Sequence, residues 1–263
     1  LRTNLDPLEQ IWENRPSLPA NPVEIQPLEY AGETLASKVV RIRKSLRELH
    51  ADGMLVSALD DIAWALNLRG TDVHCNPVFV SYLLIESGKV SLFVDDNKLS
   101  PEVKQYLQDN QVSLYNYNKV EKCLESYSEY NILLDGDETS YYLWKTVKCQ
   151  EIVAAASPIP AMKAVKNKAE IEGYHSAMLK DGVAMVKFLK WLKPAVEAGG
   201  QTEISIDEKL TSLRAEQKLF RDISFDTIAG YAQHGAIVHY EATPETDVVL
   251  KPEGLILIDS GAQ

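Results

Sequence analysis

The chain has 263 residues, of which 45% are hydrophobic and 25% charged, a composition typical of a globular protein with one or two domains. Its formal net charge of -11 argues against binding to a phosphate backbone. No apolar run approaches the roughly 18 residues that cross a membrane, and the chain does not open on a basic and apolar leader. Three cysteines without a CxxC pair favour a reducing compartment. We therefore expect a cytoplasmic protein that binds neither nucleic acid nor membrane.

Residues 1–30 contain five prolines. The stretch RPSLPANPVEIQP cannot form a continuous helix, because each proline disfavours the α conformation of the residue before it. This pattern predicts a proline-rich linker or an extended arm. A linker at this position also predicts that another domain precedes it, and a simply disordered tail is the alternative.

Helical and strand patterns alternate between residues 31 and 156. The apolar spacing in SKVVRIRKSLREL matches one face of a helix, and VFVSYLLIE and KVSLFVD, joined by Ser87 and Gly88, predict a hairpin. Further strands are predicted at MLVSA, VSLYNY and NILLD, and further helices at LDDIAWALNLRG, PEVKQYLQDN and ETSYYLWKTV. We expect Asp60 or Asp61 to cap the first of these helices. The segment predicts an α/β domain with about five or six strands.

The phrase SPIPAMKAVKN interrupts this alternation and opens a second domain, residues 157–263. A long amphipathic helix is predicted from Lys168 to Leu192, ended by Pro194, and a second helix from Ser205 to Lys218. Strands are predicted at FDTIAGYA, AIVHYEA and LILID. A sheet of about three strands would leave an apolar, unpaired edge, so we expect this domain to be incomplete.

Asp259 directly follows the apolar residues LILI. A carboxylate at the end of a buried strand is costly unless a cation, a metal or hydrogen bonds compensate it. From the residues alone, a strand followed by Asp-Ser-Gly is most simply a turn. The same letters resemble the active-site loop of aspartic proteases, but those enzymes need two such carboxylates and this chain has one such loop.

The segment GYAQHGAIVHYEA contains His234 and His239. On a regular strand, side chains five residues apart point to opposite faces, so the two rings are not expected to bind one ion together. A half-buried, hydrogen-bonded structural histidine is the alternative to a functional His239. A third candidate is a run of polar side chains between a helix and a strand, which either receives a substrate end or simply connects the two elements. Its members are Asn67, Arg69, Asp72, His74 and Asn76.

Several segments together resemble the Xaa-Pro aminopeptidases (aminopeptidase P) of the creatinase/prolidase, or pita-bread, superfamily. They are IWENRPSLP, PLEYAGET, DIAWALNLRG, NPVFVSYLLI, SPIPAMKAVKNKAEIEGYHSAMLKDGVAMVKFLKWL and FDTIAGYAQHGAIVHYEAT followed by LILIDSGAQ. The resemblance implies that residues 1–30 leave a missing first domain and that residues 31–156 form an α/β, mixed-sheet middle domain of creatinase N-terminal type. Residues 157–263 would then be the incomplete start of a pita-bread α+β catalytic domain.

Members of that family bind two divalent metals, usually manganese, through two aspartates, a histidine and two glutamates. The resemblance matches Asp259 to the first aspartate, and His239, twenty residues earlier, to the histidine that contacts the substrate. The other ligands would follow Gln263. We therefore expect this truncated chain to hold no metal and to be inactive by itself.

For the intact protein, the resemblance implies release of the N-terminal residue from peptides with proline in second position. Members of the family are often homodimers. Two alternatives share the fold: a prolidase or creatinase-like hydrolase, which has a single domain before the pita bread, and a non-catalytic pita-bread protein that binds peptides or partners.

Overall fold

A computed structural model describes residues 5, 7, 8, 11–128 and 130–263 of the chain. It divides into two compact units. Unit 1 comprises Leu1–Val73 and Pro77–Glu170, and unit 2 comprises His74–Asn76 and Ile171–Gln263. The domain limits expected from the sequence, at residues 30 and 156, stay predictions. Within the described residues, every helix is too short or too polar to cross a membrane.

The helices are α1 (Leu28–Ala31), α2 (Leu35–Glu48), α3 (Leu59–Leu66), α4 (Pro101–Asp109), α5 (Val120–Glu125), α6 (Tyr141–Thr146), α7 (Ile159–Ala164), α8 (Lys168–Ala198) and α9 (Glu203–Ala215). The strands are β1 (Glu24–Ile25), β2 (Gly53–Val56), β3 (Leu68–Arg69), β4 (Ser81–Glu86), β5 (Val90–Val94), β6 (Val112–Asn116), β7 (Asn131–Leu134), β8 (Glu151–Ala154), β9 (Ile228–Tyr231) and β10 (Ile256–Asp259).

Unit 1 is built on a six-stranded sheet in the order β6-β5-β4-β2-β7-β8. β4 pairs antiparallel with both β2 and β5, which confirms the predicted hairpin. The remaining pairs, β5 with β6, β2 with β7 and β7 with β8, are parallel. The sheet is therefore mixed, and the prediction of an α/β, mixed-sheet domain is confirmed.

The central strands of this sheet are buried on both faces. Because successive side chains of a strand point to opposite sides, Met54 and Val56 join one core cluster while Leu55 joins another. α2, α3 and α4 contribute apolar side chains to the first cluster, and α5 and α6 to the second. Helices thus cover both faces of the sheet, which explains the nearly continuous apolar runs in the sequence of β2, β5 and β7.

The start of α3 differs from the sequence prediction. Its N-cap is Ala58, and no side chain caps it. Asp60 and Asp61 lie inside the first turn, where both carboxylates accept hydrogen bonds from Lys163. Burial raises the pKa of Asp61. The two aspartates are therefore committed to an ion pair with α7, because a buried carboxylate needs a cationic or hydrogen-bonding partner.

Unit 2 contains most of α8, together with α9, β9 and β10. The predicted end of α8 before Pro194 is wrong, since the helix continues to Ala198 with that proline inside it. An internal proline costs a backbone hydrogen bond, but Phe188 and Val196, on either side of it, are buried in one core cluster. Packing on both sides of Pro194 therefore preserves the helix. The buried members of the cluster are Ala184, Phe188, Val196, Ile206, Leu210, Leu213, Ala229 and Leu250.

The strands of unit 2 also depart from prediction. β9 and β10 form a two-stranded antiparallel sheet. Ile256 and Ile258 pack against the core of unit 2, whereas Leu255 and Leu257 are exposed, so LILI is half-buried and not the fully buried strand expected. The predicted strand AIVHYEA is absent: a 3-10 helix spans Ala232–Ala236, and the chain from 237 to 247 is irregular.

Candidate active site

Asp259 is the last residue of β10, where its backbone lies opposite Ile228 of β9. The residue is exposed. Within the described residues, its carboxylate accepts no hydrogen bond and forms no ion pair. Carboxylate oxygens are ligands that hard divalent cations prefer, so this side chain is free to take such a role. It supplies one ligand, and a two-metal site needs several.

The residues after Asp259 stay extended. Ser224 donates its backbone N–H to the carbonyl of Gly261 at 3.1 Å, and Ala262 forms an antiparallel bridge with Ile223. The interpretation of Asp-Ser-Gly as a turn is therefore wrong. β9 therefore pairs with the chain up to Asp259, and residues 221–224 pair with the chain after it.

Arg214 supports this peptide from α9. Its guanidinium is 2% exposed and pairs with Asp181 of α8, with 2.7 Å between Nε and Oδ1. The same group donates to the carbonyl of Ser260, the residue after Asp259, at 3.4 Å. α8, α9 and the end of β10 are thus connected through one buried cation, whose charge Asp181 compensates.

His239 lies in the irregular segment after the 3-10 helix and adopts a left-handed backbone conformation, with φ of 54°. It is exposed, and in the described part of the chain its ring makes no hydrogen bond. The sequence predicted that His234 and His239 point to opposite faces of a strand. That expectation does not apply, because neither histidine lies on a strand. The half-buried, hydrogen-bonded histidine of the alternative interpretation is His234 and not His239.

The ring of His234 is held by Glu203. Its Nδ1 lies 3.0 Å and 3.1 Å from the two carboxylate oxygens, and the ring lies against that of Tyr240, with 4.6 Å between centroids. Glu203 is completely buried and also accepts hydrogen bonds from the backbone N–H of Tyr231 and the hydroxyl of Tyr240. This cluster lies at the N-terminus of α9.

Sequence reasoning did not identify Glu203. A glutamate in the first turn of a helix is a common helix-start residue, and nothing in its local pattern distinguishes a buried one. The Thr-x-x-Ser spacing from Thr202 to Ser205 was the available signal: the two residues form a capping box that starts α9 before the predicted Ser205.

The polar run between α3 and β4 has structural roles in unit 1. Asn67 accepts a hydrogen bond from the buried Lys38 at 2.7 Å, and Arg69 donates to the carbonyls of Ala63 and Leu68. The side chains of Asp72 and Lys98 are 0% and 2% exposed and form an ion pair at 2.6 Å. These three members of the run are occupied inside unit 1, as expected of a polar connection.

The other two members, His74 and Asn76, belong to unit 2 and are exposed. His74 pairs with Asp226 at 2.8 Å, and this carboxylate raises the pKa of the imidazole. The metal-capable atoms of His74, Cys75 and Asp226 lie within 4.8 Å of one another. Among the described residues, this group does not include Asp259 or His239.

Comparison with known families divides the chain in two. Residues 14–170, more than half of the chain, match the Creatinase/Prolidase N-terminal domain. Residues 172–263 match Metallopeptidase family M24. Asp259, His239 and the Glu203 cluster all lie in the second match.

Relatives are found in animals and plants. The Xaa-Pro aminopeptidase ApepP of Drosophila melanogaster is 35% identical over 97% of this chain and 43% of its own length. Aminopeptidase P2 of Arabidopsis thaliana is 32% identical over 99% of this chain and 41% of its own. The chain thus spans less than half the length of the relatives that it matches.

Solved structures similar to this chain also include enzymes named for Xaa-Pro peptides. The X-prolyl aminopeptidase of Caenorhabditis elegans, described as a cytosolic enzyme with a di-nuclear active site, has a TM-score of 0.89 and 29% identity over 97% of this chain and 43% of its own. The Xaa-Pro dipeptidase of Bacillus anthracis has a TM-score of 0.66 at 16% identity, a likeness of fold alone. The chain therefore belongs to the Creatinase/Prolidase N-terminal domain family, and its residues 172–263 match Metallopeptidase family M24.

Proposed function

We propose that these 263 residues are part of a cytosolic metallo-aminopeptidase that releases the N-terminal residue from peptides with proline in second position. The observation that carries the proposal is Asp259: an exposed carboxylate without a partner at the end of β10, inside the segment that matches M24. The relatives named as Xaa-Pro aminopeptidases and the di-nuclear site described for the nematode enzyme support it.

When bound, two divalent ions, which we propose to be manganese, would supply an activated hydroxide and polarise the scissile carbonyl. Asp259 would hold one of these ions through its carboxylate. His239 would donate a hydrogen bond to the substrate and so stabilise charge that develops on the substrate oxygen. The bond before proline is a tertiary amide without an N–H, so recognition of this substrate cannot rely on a donor at the scissile nitrogen.

The 263 residues alone would not hold the metals or turn over peptide, because one carboxylate cannot position two cations. The activity would belong to the complete polypeptide that contains them. A homodimer of that polypeptide is the assembly we propose, and peptides are its substrates. Identities of 29–35% over 97% of this chain to proteins named as X-prolyl or Xaa-Pro aminopeptidases support an aminopeptidase.

The proposal is tested with the complete polypeptide, purified with manganese, and a pair of tripeptides that differ only in proline or alanine at the second position. Release of the first residue is followed by mass spectrometry. We expect cleavage of the proline peptide and little of the alanine peptide. His239→Asn should slow cleavage, whereas Glu253→Gln, at an exposed position of the same unit, should not. Equal cleavage of both peptides, or no cleavage, would contradict the proposal.

A further inference from the structure

Glu203 is a buried carboxylate whose position the proposed mechanism does not explain. Its side chain is 0% exposed, and leaving such a charge uncompensated would cost several kcal/mol. Three donors compensate it: the backbone N–H of Tyr231 at 2.6 Å, the Nδ1 of His234 at 3.0 Å and the hydroxyl of Tyr240 at 2.8 Å. As the first residue of α9 it also lies at the positive end of the helix dipole.

The direction of each hydrogen bond follows from the chemistry of the groups. An ionised carboxylate only accepts, so Nδ1 of His234 carries the proton that it shares with Glu203. Burial and the neighbouring Glu203 carboxylate raise the pKa of Tyr240, so its phenol stays protonated and donates. Glu203 is thus a common acceptor for three donors from one stretch of chain, 231–240.

The N-terminus of α9, which carries Glu203, is itself fixed by several hydrogen bonds. The capping box of Thr202 and Ser205 fixes its first turn. The backbone N–H of Glu203 donates to Val248 at 3.3 Å, and that of Ile204 to the carboxylate of Asp247 at 3.1 Å. Groups held by packing and by further hydrogen bonds on a regular element give accurate positions to what they contact.

The stretch 231–240 that Glu203 holds includes His239 as its next-to-last residue. Tyr240 is buried and bonded to Glu203, and the residue before it, His239, is exposed with a φ of 54°. A non-glycine residue in the left-handed region persists only where the surroundings enforce it. In the described residues His239 makes no hydrogen bond through its ring, so the neighbouring Tyr240 is the anchored side chain that restrains it.

We propose that Glu203 is a positioning residue: by binding Tyr231 at one end of the stretch and Tyr240 at the other, it holds His239 in the conformation needed to meet the peptide substrate. The inference rests on the proposed function. Glu203 itself does not touch the substrate. It acts through Tyr240, with His234 as the third donor that completes the neutralisation of its charge.

The test uses the complete, manganese-loaded polypeptide and a double-mutant cycle. Glu203→Gln keeps the shape but leaves one acceptor oxygen for three donors, and kcat/KM on the proline tripeptide should fall about 10- to 100-fold, as for other supporting residues. In the His239→Ala background the same change should cost less than about threefold, since the ring that it positions is gone. Glu208→Gln, at an exposed position on the same helix, is the matched control and should leave kcat/KM unchanged.

Tyr240→Phe removes one hydroxyl and keeps the ring, so it provides the test if Glu203→Gln does not fold. We expect about a fivefold loss from one hydrogen bond, again absent when His239 is alanine. If the unaltered polypeptide cleaves the peptide, equal losses of kcat/KM in the wild-type and His239→Ala backgrounds would overturn the inference. If the unaltered polypeptide does not cleave the peptide, the proposed function fails instead. The inference then depends on the crystal structure of Glu203→Gln, which must show His239 leaving its left-handed conformation, and an unchanged φ would overturn it.

Discussion

The buried ion pair of Asp72 and Lys98 gives a quantitative prediction for unit 1. Asp72 accepts from Lys98 at 2.6 Å, from the backbone N–H of Val80 at 2.7 Å and from that of Asn21 at 3.2 Å. Its side chain is 0% exposed and that of Lys98 is 2% exposed. Asp72→Asn would leave the ammonium without its counter-charge, so the free energy of unfolding should fall by about 3–5 kcal/mol.

The double variant Asp72→Asn/Lys98→Met removes the orphaned charge. The two residues are in direct contact, so their effects should be coupled, and the double variant should be at least about 1 kcal/mol more stable than the sum of the single effects predicts. Asp96→Asn is the matched control, because Asp96 pairs with Lys104 at the same 2.6 Å but on the surface, with side chains 69% and 38% exposed. It should cost less than about 1 kcal/mol.

Urea unfolding followed by far-UV circular dichroism is measured for the wild-type chain, the single variants Asp72→Asn, Lys98→Met and Asp96→Asn, and the double variant. The two units need not unfold together, so the transition of unit 1 should be identified first. Strict additivity of the two single changes, or a loss from Asp72→Asn no larger than that from Asp96→Asn, would refute the argument that burial makes this pair costly to break.

Two further predictions concern the cores of the units. Burial and the nearby Arg69 lower the pKa of Lys38 to about 8. The folded state disfavours the charged ammonium of Lys38. Its burial therefore lowers the free energy of unfolding by the full amount below pH 8, and this destabilisation is relieved as pH rises from about 8 toward 10.5. Relative to Lys38→Met, the free energy of unfolding of the wild-type chain should therefore rise by up to about 3 kcal/mol across that window in parallel unfolding titrations. A difference between the two chains that does not change with pH would contradict this. In unit 2, Phe188 is 0% exposed, and Phe188→Ala should lower the free energy of unfolding by about 3–5 kcal/mol in calorimetry, whereas Leu189→Ala, 56% exposed on the same helix, should cost far less.

Local patterns were sufficient for much of unit 1. The apolar spacing of α2 and the Ser87-Gly88 turn between β4 and β5 are properties of short segments, and the structure has both where the sequence predicts them. The order of the sheet strands depends on contacts between distant segments, and no short pattern encodes it.

Unit 2 was predicted less well, for physical reasons. The residues AIVHY have the composition of a strand, but an anchored Tyr240 and a left-handed His239 give an irregular segment instead. Pro194 usually ends a helix, yet core packing beyond it keeps α8 continuous. Both outcomes depend on tertiary contacts that outweigh local preference.

The candidate site was predicted in part. Asp259 at the end of β10 could be identified because a carboxylate after an apolar strand is unusual, and the resemblance supplied its proposed role. Glu203 could not be identified, since its importance comes from its complete burial and its three donors, all at least 28 residues away along the chain.

The role of Asp259 is the central claim and has a direct test. The turnover number for release of the N-terminal residue from a proline tripeptide is measured on the complete polypeptide with manganese, for wild type, Asp259→Asn and the control Glu253→Gln. If Asp259 holds a catalytic metal, Asp259→Asn should lower the turnover number at least about 100-fold, because loss of a metal ligand should cost at least as much as loss of a residue that only orients a ligand. The amount of bound manganese should also fall. Turnover equal to that of Glu253→Gln would contradict the account.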